Sequence, residues 1–68
     1  MADTAEKRRA DLRDHKRKSI LAAARRVCDE AGPEALTIRA VASEAGYAPG
    51  AVYSYFAGID ELAIALTA

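Results

Sequence analysis

The chain has 68 residues, so it forms at most one domain, and a single core of this size lies near the lower limit for independent stability. Its only cysteine, Cys28, and its only histidine, His15, exclude a disulfide framework, a multi-cysteine zinc site and a histidine-based metal or acid–base site. The net charge is zero, but residues 1–26 carry nine basic and four acidic side chains, whereas residues 27–68 carry one basic and six acidic. Since no nucleophile–base pair and no phosphate loop is visible, we predict no enzyme activity, no catalytic residue, no metal and no cofactor.

No apolar segment approaches the roughly 18 residues that a membrane span requires, and charged residues occupy the N-terminus, where a secretory signal would be apolar. We therefore predict a cytoplasmic chain that does not contact a membrane. The uneven charge is typical of a basic arm or helix that lies along phosphates. A solvated helix face of mixed charge explains the same pattern, so charge alone does not decide between the two.

The first twelve residues are polar and offer little to bury, so we predict a flexible basic arm over residues 1–12 that orders only on a partner. A helical periodicity follows from Arg13 to Ala31. Its apolar positions share one face: Ile20, Leu21, Ala24, Val27, Cys28 and Ala31. Gly32 is expected to end this helix in the left-handed conformation, and Pro33 cannot continue it.

A second helix is predicted to follow Thr37, whose hydroxyl can cap the first free backbone N–H groups. Leu36 and Val41 occupy the two positions of a hydrophobic staple. The stripe that this helix is expected to bury comprises Ile38, Val41, Ala42 and Ala45. Gly46 is the predicted left-handed residue at its end.

A three-residue turn leads to Pro49, which suits the first position of a third helix ending at Tyr55 or Phe56. Gly58 precedes a fourth helical segment. Its apolar residues share a face: Ile59, Leu62, Ala63 and Leu66. Because strand-like alternation is absent, the sequence predicts an all-α, homeodomain-like domain over residues 13–68, with three helices and the start of a fourth.

Two short helices joined by a short turn that contains glycine form a helix-turn-helix, whose second helix enters the DNA major groove. A generic helical hairpin shows the same spacing, so the residues on the outward face of the third helix must distinguish a DNA-binding motif from such a hairpin. With Val52 pointing inward, helical geometry sends Gly50 and Ser54 outward and places Ala51 and Tyr53 on the flanks. A face that served only solubility would carry Lys and Glu. Small side chains instead allow close approach to base edges, and tyrosine hydroxyls can donate to phosphates.

The segment LTIRAVASEAGYAPGAVYSYF resembles the N-terminal DNA-binding domain of TetR-family transcriptional repressors, and the similarity extends from about Arg17 through Leu66. The positions that carry it include Gly32, Leu36, Thr37, Ile38, Arg39, Ala42, Ala45, Gly46, Gly50, Tyr53, Tyr55 and Phe56. The resemblance implies a three-helix DNA-binding unit and a fourth helix leading to a larger domain for dimerisation and effector binding. We expect that domain to lie beyond Ala68.

The resemblance also implies which residues contact DNA. They are Thr37, Arg39, Pro49, Gly50, Ala51, Tyr53, Ser54 and Tyr55. It assigns phosphates to the threonine and the two tyrosines, base edges to Gly50, Ala51 and Ser54, and a base or a phosphate to Arg39. Near the helix-turn-helix, only Arg39 can bind guanine through two parallel hydrogen bonds. The alternative for this arginine is a surface ion pair with Glu44 or another acidic residue.

Two positions depart from the family pattern. Relatives usually have Ser or Thr where this chain has Ala48, and Lys where it has Ile59, so two phosphate contacts are expected to be missing. Basic residues near the N-terminus are the candidates to replace them: Lys7, Arg8, Arg9, Arg13, Lys16, Arg17 and Lys18. Tyr47 is expected to pack on the core from the turn, with a DNA contact as the alternative.

The sequence thus predicts a sequence-specific transcriptional regulator, a ligand-responsive repressor that binds a palindromic operator in double-stranded DNA as a homodimer. We expect it at the bacterial nucleoid, with a small-molecule effector acting only through the second domain. The alternative function is a small helical interaction module whose basic helix meets an acidic protein or membrane surface. Under that alternative, the affinity for the partner should not change when Tyr53 and Arg39 are replaced.

Overall fold

The computed structural model describes residues 3–67, and the environments of the side chains from Lys7 onward. Four α-helices follow one another: α1 (Asp3–Ala31), α2 (Ile38–Ala45), α3 (Pro49–Tyr53) and α4 (Ile59–Thr67). One turn of 3₁₀-helix, Pro33–Ala35, connects α1 to α2. The described residues contain no strand, so the predicted all-α class is confirmed.

Helix α1 begins at Asp3, ten residues before the predicted start. The expectation that the N-terminal segment lacks regular structure was therefore wrong for residues 3–12, and residues 1–2 lie outside the described chain. Residues 3–31 contain no glycine or proline and many Ala, Lys and Arg residues, which favour a helix even where no core covers it. All side chains from Lys7 to Lys18 are exposed, so this part of α1 extends beyond the core.

The core lies where the four helices meet. It comprises Ile20, Ala23, Ala24, Ile38, Val41, Ala42, Val52, Phe56 and Leu62. Two details of the predicted α1 face were wrong, since Ala31 is exposed and Ala23 is fully buried. The reason is that α1 packs mainly against α2, and Ala31 lies at the end of α1, beyond that contact.

Gly32 ends α1 with φ 88° and ψ 161°, an extended conformation and not the left-handed helical one that the sequence predicts. Backbone geometry with positive φ and this ψ is open almost only to glycine. The following Pro33 disfavours helical ψ values in the residue before it, which accounts for the difference. Pro33 itself occupies the first position of the 3₁₀ turn, where it needs no N–H donor.

The predicted boundaries of α2 are confirmed at both ends. The Oγ1 of Thr37 accepts a hydrogen bond of 3.1 Å from the backbone N–H of Ala40, which caps the helix. Gly46 closes the helix in the left-handed region with φ 79° and ψ 26°. Three residues, 46–48, then separate α2 from α3, and Pro49 takes the first position of α3 as expected.

Replacing Thr37 with Ala removes the capping oxygen and is expected to lower the free energy of unfolding by about 1 kcal/mol. The exposed Ser43 within α2 supplies a matched control, because Ser43→Ala removes a hydroxyl that caps nothing and introduces a better helix former. Urea denaturation followed by circular dichroism measures both. Equal stability of the two variants would contradict the capping role.

Helix α3 ends at Tyr53, two or three residues before the predicted end. The carbonyl oxygen of Ser54 accepts a hydrogen bond of 3.1 Å from Arg13 Nη2 on α1. Helical hydrogen bonding continues past Tyr53, since the N–H of Phe56 donates to the carbonyl of Val52 at 3.1 Å. Phe56 then enters the core, where it is 2% exposed. The difference from the predicted end therefore reflects the fraying that is common at helix ends.

Helix α4 confirms the predicted fourth segment, with Leu62 fully buried beneath it. Glu61 Oε2 accepts a hydrogen bond of 3.0 Å from the N–H of Ala57, and Asp60 adds a second acidic side chain in the first turn. Both stabilise the positive end of the helix dipole. Within the described residues, no helix is both long enough and apolar enough to cross a membrane.

Candidate nucleic-acid interface

The outward face of α3 is exposed and small. Val52 is fully buried, which turns Gly50 and Ser54 toward solvent and leaves Ala51 half-buried. A Cβ added at Gly50 would meet nothing within 4 Å, so the fold does not require glycine there. The hydroxyl of Ser54 donates to the carbonyl of Gly50 at 3.3 Å, which leaves its oxygen free to accept another hydrogen bond. The predicted orientation of α3 is confirmed, and close approach to bases stays a prediction.

The residues predicted at the start of α2 are also exposed. Thr37 Oγ1 accepts the capping bond, so its proton remains available for donation. Arg39 is exposed, and among the described residues it has no ion-pair partner. Glu44 pairs instead with Arg26 of α1, whose Nε lies 2.9 Å from Glu44 Oε1. The alternative of an Arg39–Glu44 ion pair was therefore wrong.

The three tyrosines differ in how far they project. Tyr53 is 54% exposed on the flank of α3. Tyr55 and Tyr47 are half-buried and pack against the core, as the sequence predicts for Tyr47. The guanidinium of Arg13 lies 4.7 Å from the centroid of the Tyr55 ring, which fixes that ring against α1. Tyr53 is thus the free tyrosine, and Tyr55 is held at the contact between α1 and α3.

An open groove of about 340 Å³ separates α1 from α3. Its lining residues are Arg13, Lys16, Tyr47, Ala51, Ser54 and Tyr55. Sequence reasoning placed Arg13 and Lys16 among basic residues near the N-terminus but did not predict that they lie beside α3. The available signal was their spacing from Ile20, because residues seven and four positions before a core residue lie on the same helix face.

Comparison with protein-family models shows which family has this arrangement of helices. The model of the bacterial regulatory proteins of the tetR family matches residues 20–66, which are 47 of the 68 residues. The chain belongs to the TetR family. Comparisons with curated proteins and with solved structures gave no match.

The TetR match contains α2, the turn and the whole of α3, together with the buried half of α1 and nearly all of α4. TetR-family proteins are transcriptional regulators, and this region is their DNA-binding domain. The predicted family and the predicted helical fold are both confirmed. The exposed half of α1, up to Lys18, lies outside the TetR match.

Both departures from the usual TetR pattern are visible in the structure. Ala48 is the N-cap of α3 and supplies no side-chain hydrogen bond. Ile59, at the start of α4, packs against the core, and the next two side chains are the acidic Asp60 and Glu61. Neither helix start therefore offers a side chain that donates to a phosphate at these two positions, as the sequence predicts.

Proposed function

We propose that the chain binds double-stranded DNA with α3 in the major groove and that it serves as the DNA-binding part of a transcriptional repressor. One observation carries the proposal: the outward face of α3 is open and carries only small side chains, and exposed hydrogen-bond donors such as Arg39 and Tyr53 lie around it. A helix about 10–12 Å wide just fills a major groove about 12 Å wide. Small residues on its outward face let the α3 backbone approach the base edges closely.

Base edges would be read by four residues. Arg39 has a free guanidinium that fits the two acceptors of guanine in the major groove. Ala51 offers a methyl group that can pack on a thymine methyl, and Ser54 retains an acceptor for a base amino group. Gly50, on the outward face of α3, would allow close approach and has no side chain.

Phosphates would be held by hydroxyl groups at the edges of the helix-turn-helix. Thr37 has a free hydroxyl proton at the start of α2, and the exposed Tyr53 presents a rigid donor. Tyr55, whose ring packs against Arg13, would hold a second phosphate. Pro49 would contribute contact area at the first turn of α3, since it is exposed there.

We further propose that two such chains act as a homodimer on a palindromic operator. A helix-turn-helix with four candidate base contacts, two of them on the five-residue α3, reads only a few base pairs, which is too short a site to be selective in a genome. Pairing two modules on half-sites one helical turn or a multiple apart supplies the missing specificity. A small-molecule effector would release the DNA through a second, effector-binding domain. Such a regulator works in the bacterial cytoplasm, at the nucleoid.

Selection of duplexes from a random-sequence library tests this function. We expect an inverted repeat to emerge. The substitution Tyr53→Phe should then weaken binding to the selected duplex and to a random duplex by the same factor, about 2- to 10-fold, because the lost hydrogen bond goes to a phosphate. Fluorescence anisotropy measures both affinities, and circular dichroism confirms that the variant is folded.

An opposite result would favour the interaction module. If no consensus emerges, and Tyr53→Phe and Arg39→Ala leave all DNA affinities unchanged, the major-groove proposal is wrong. The module would then be expected to bind vesicles that contain anionic lipid, or an acidic protein, through the basic half of α1.

A further inference from the structure

The groove between α1 and α3 is lined by positive charge and hydroxyl groups. Arg13 and Lys16 contribute the charge, and Tyr47, Ser54 and Tyr55 contribute the hydroxyls. No carboxylate is among its lining residues in the described part of the chain, and neither cation forms an ion pair there. Such a set of donors around an open space fits an anion.

The two cations are available to a ligand. Arg13 donates from Nη2 to the carbonyl of Ser54 at 3.1 Å, and four of its five N–H donors remain. Its contact with the Tyr55 ring, at 4.7 Å, fixes the guanidinium at the mouth of the groove. Lys16 is exposed and adds a second charge one turn further along α1.

The basic groups continue along one face of α1. Helical spacing places Arg9, Arg13, Lys16 and Arg17 within a sector of about 100°, because these positions differ by four, three and one residues and a turn takes 3.6. Arg17 is held on the same side by Phe56, since its guanidinium lies 5.3 Å from the ring centroid. Asp14, the acidic residue next to Arg13 in the chain, pairs with Lys18 at 3.2 Å.

We propose that this groove binds a phosphodiester of the DNA backbone, on the strand opposite to the one that Tyr53 contacts. The inference rests on the proposed function. A helix in the major groove has one backbone on each side, and Tyr53 and the groove lie on opposite flanks of α3, with Ala51 on the groove side. Arg13 and Lys16 precede the region that matches the TetR family, so the match to residues 20–66 does not include them. They replace the phosphate contacts that Ala48 and Ile59 do not provide.

The matched pair Lys16→Gln and Lys18→Gln tests the groove. Both substitutions remove one exposed positive charge from α1, but only Lys16 lines the groove, whereas Lys18, a candidate from the sequence alone, pairs with Asp14 and does not line it. For Lys16→Gln we expect the slope of log K against log salt to become shallower by about 0.9, so the loss of affinity relative to the unmodified chain should be about 8-fold greater at 0.1 M salt than at 1 M salt. Lys18→Gln should keep the slope of the unmodified chain. The selected duplex and a random duplex should give the same change, because phosphates carry no sequence information.

Equal slopes for the two variants would overturn the groove assignment. If Tyr53→Phe weakens binding while Lys16→Gln does not change the slope, the groove proposal fails and the proposed function survives. If the unmodified chain binds no duplex, both fail together. A last experiment titrates the chain with inorganic phosphate in the absence of DNA. The NMR chemical shifts of the backbone amides of Ser54 and Tyr55 report binding in the groove. Saturable binding at low millimolar phosphate that Lys16→Gln abolishes would assign the groove to a free phosphate ligand and overturn the DNA contact.

Discussion

Replacing Phe56 with Ala is expected to lower the free energy of unfolding by about 3–5 kcal/mol, the range for a buried phenylalanine whose removal leaves a cavity. Phe56 is 2% exposed and joins the end of α3 to the start of α4 within the core. The core of a chain of 68 residues rarely supplies more than about 3–5 kcal/mol of stability. The variant should therefore be largely unfolded at room temperature and should not bind DNA.

Denaturation by urea, followed by circular dichroism, measures this effect. Ile64→Ala is the control, because Ile64 is 70% exposed on α4 and its truncation should change the stability by less than about 0.5 kcal/mol. If the two variants lose the same amount, the core does not lie where the four helices meet. An intermediate loss for Phe56→Ala would show that neighbouring side chains, such as Arg17, relax into the space.

Replacing Arg39 with Ala is expected to weaken binding to the selected duplex by about 1–3 kcal/mol, or about 5- to 150-fold, with little effect on a random duplex beyond the lost charge. Arg39 is the only basic residue after Arg26, and among the described residues it forms no ion pair. Its guanidinium is therefore free to make two parallel hydrogen bonds to a guanine. The loss should be concentrated at one base pair in each half-site.

A double-mutant cycle isolates that contact. Replacing the contacted guanine with 7-deazaguanine removes the N7 acceptor, so it should weaken binding of the unmodified chain and have no effect on Arg39→Ala. Arg25→Ala is the charge-matched control, because Arg25 contacts the carbonyl of Leu66 at 3.4 Å and does not line the groove beside α3. This control should respond to 7-deazaguanine as the unmodified chain does. An additive cycle for Arg39 would show that it does not read guanine.

Local signals made most of the helix boundaries predictable. Thr37, Gly46 and Pro49 determine the ends of α2 and the start of α3 through capping and backbone preferences that depend only on near neighbours. The length of α1 was not predictable in the same way. Its first half buries none of its described side chains and therefore shows no apolar periodicity, so helix propensity was the only local signal for a helix there.

The candidate site likewise has one part that local sequence predicts and one part that depends on residues distant in the chain. The outward position of Gly50 and Ser54 follows from helical geometry once Val52 is placed inside, so the sequence alone predicts it. The groove beside α3 required the structure. It depends on the hydrogen bond from Arg13 to the carbonyl of Ser54, two residues 41 positions apart in the chain, and only the folded arrangement of the helices brings them together.

Dimethyl sulfate protection of the selected duplex tests most directly whether α3 lies in the major groove. The reagent methylates guanine at N7 in the major groove and adenine at N3 in the minor groove, so one footprint compares both grooves. We predict protection of guanine N7 within each half-site, unchanged reactivity of adenine N3, and loss of the strongest protection with Arg39→Ala. Protection of adenine N3 with free guanine N7 would contradict the account.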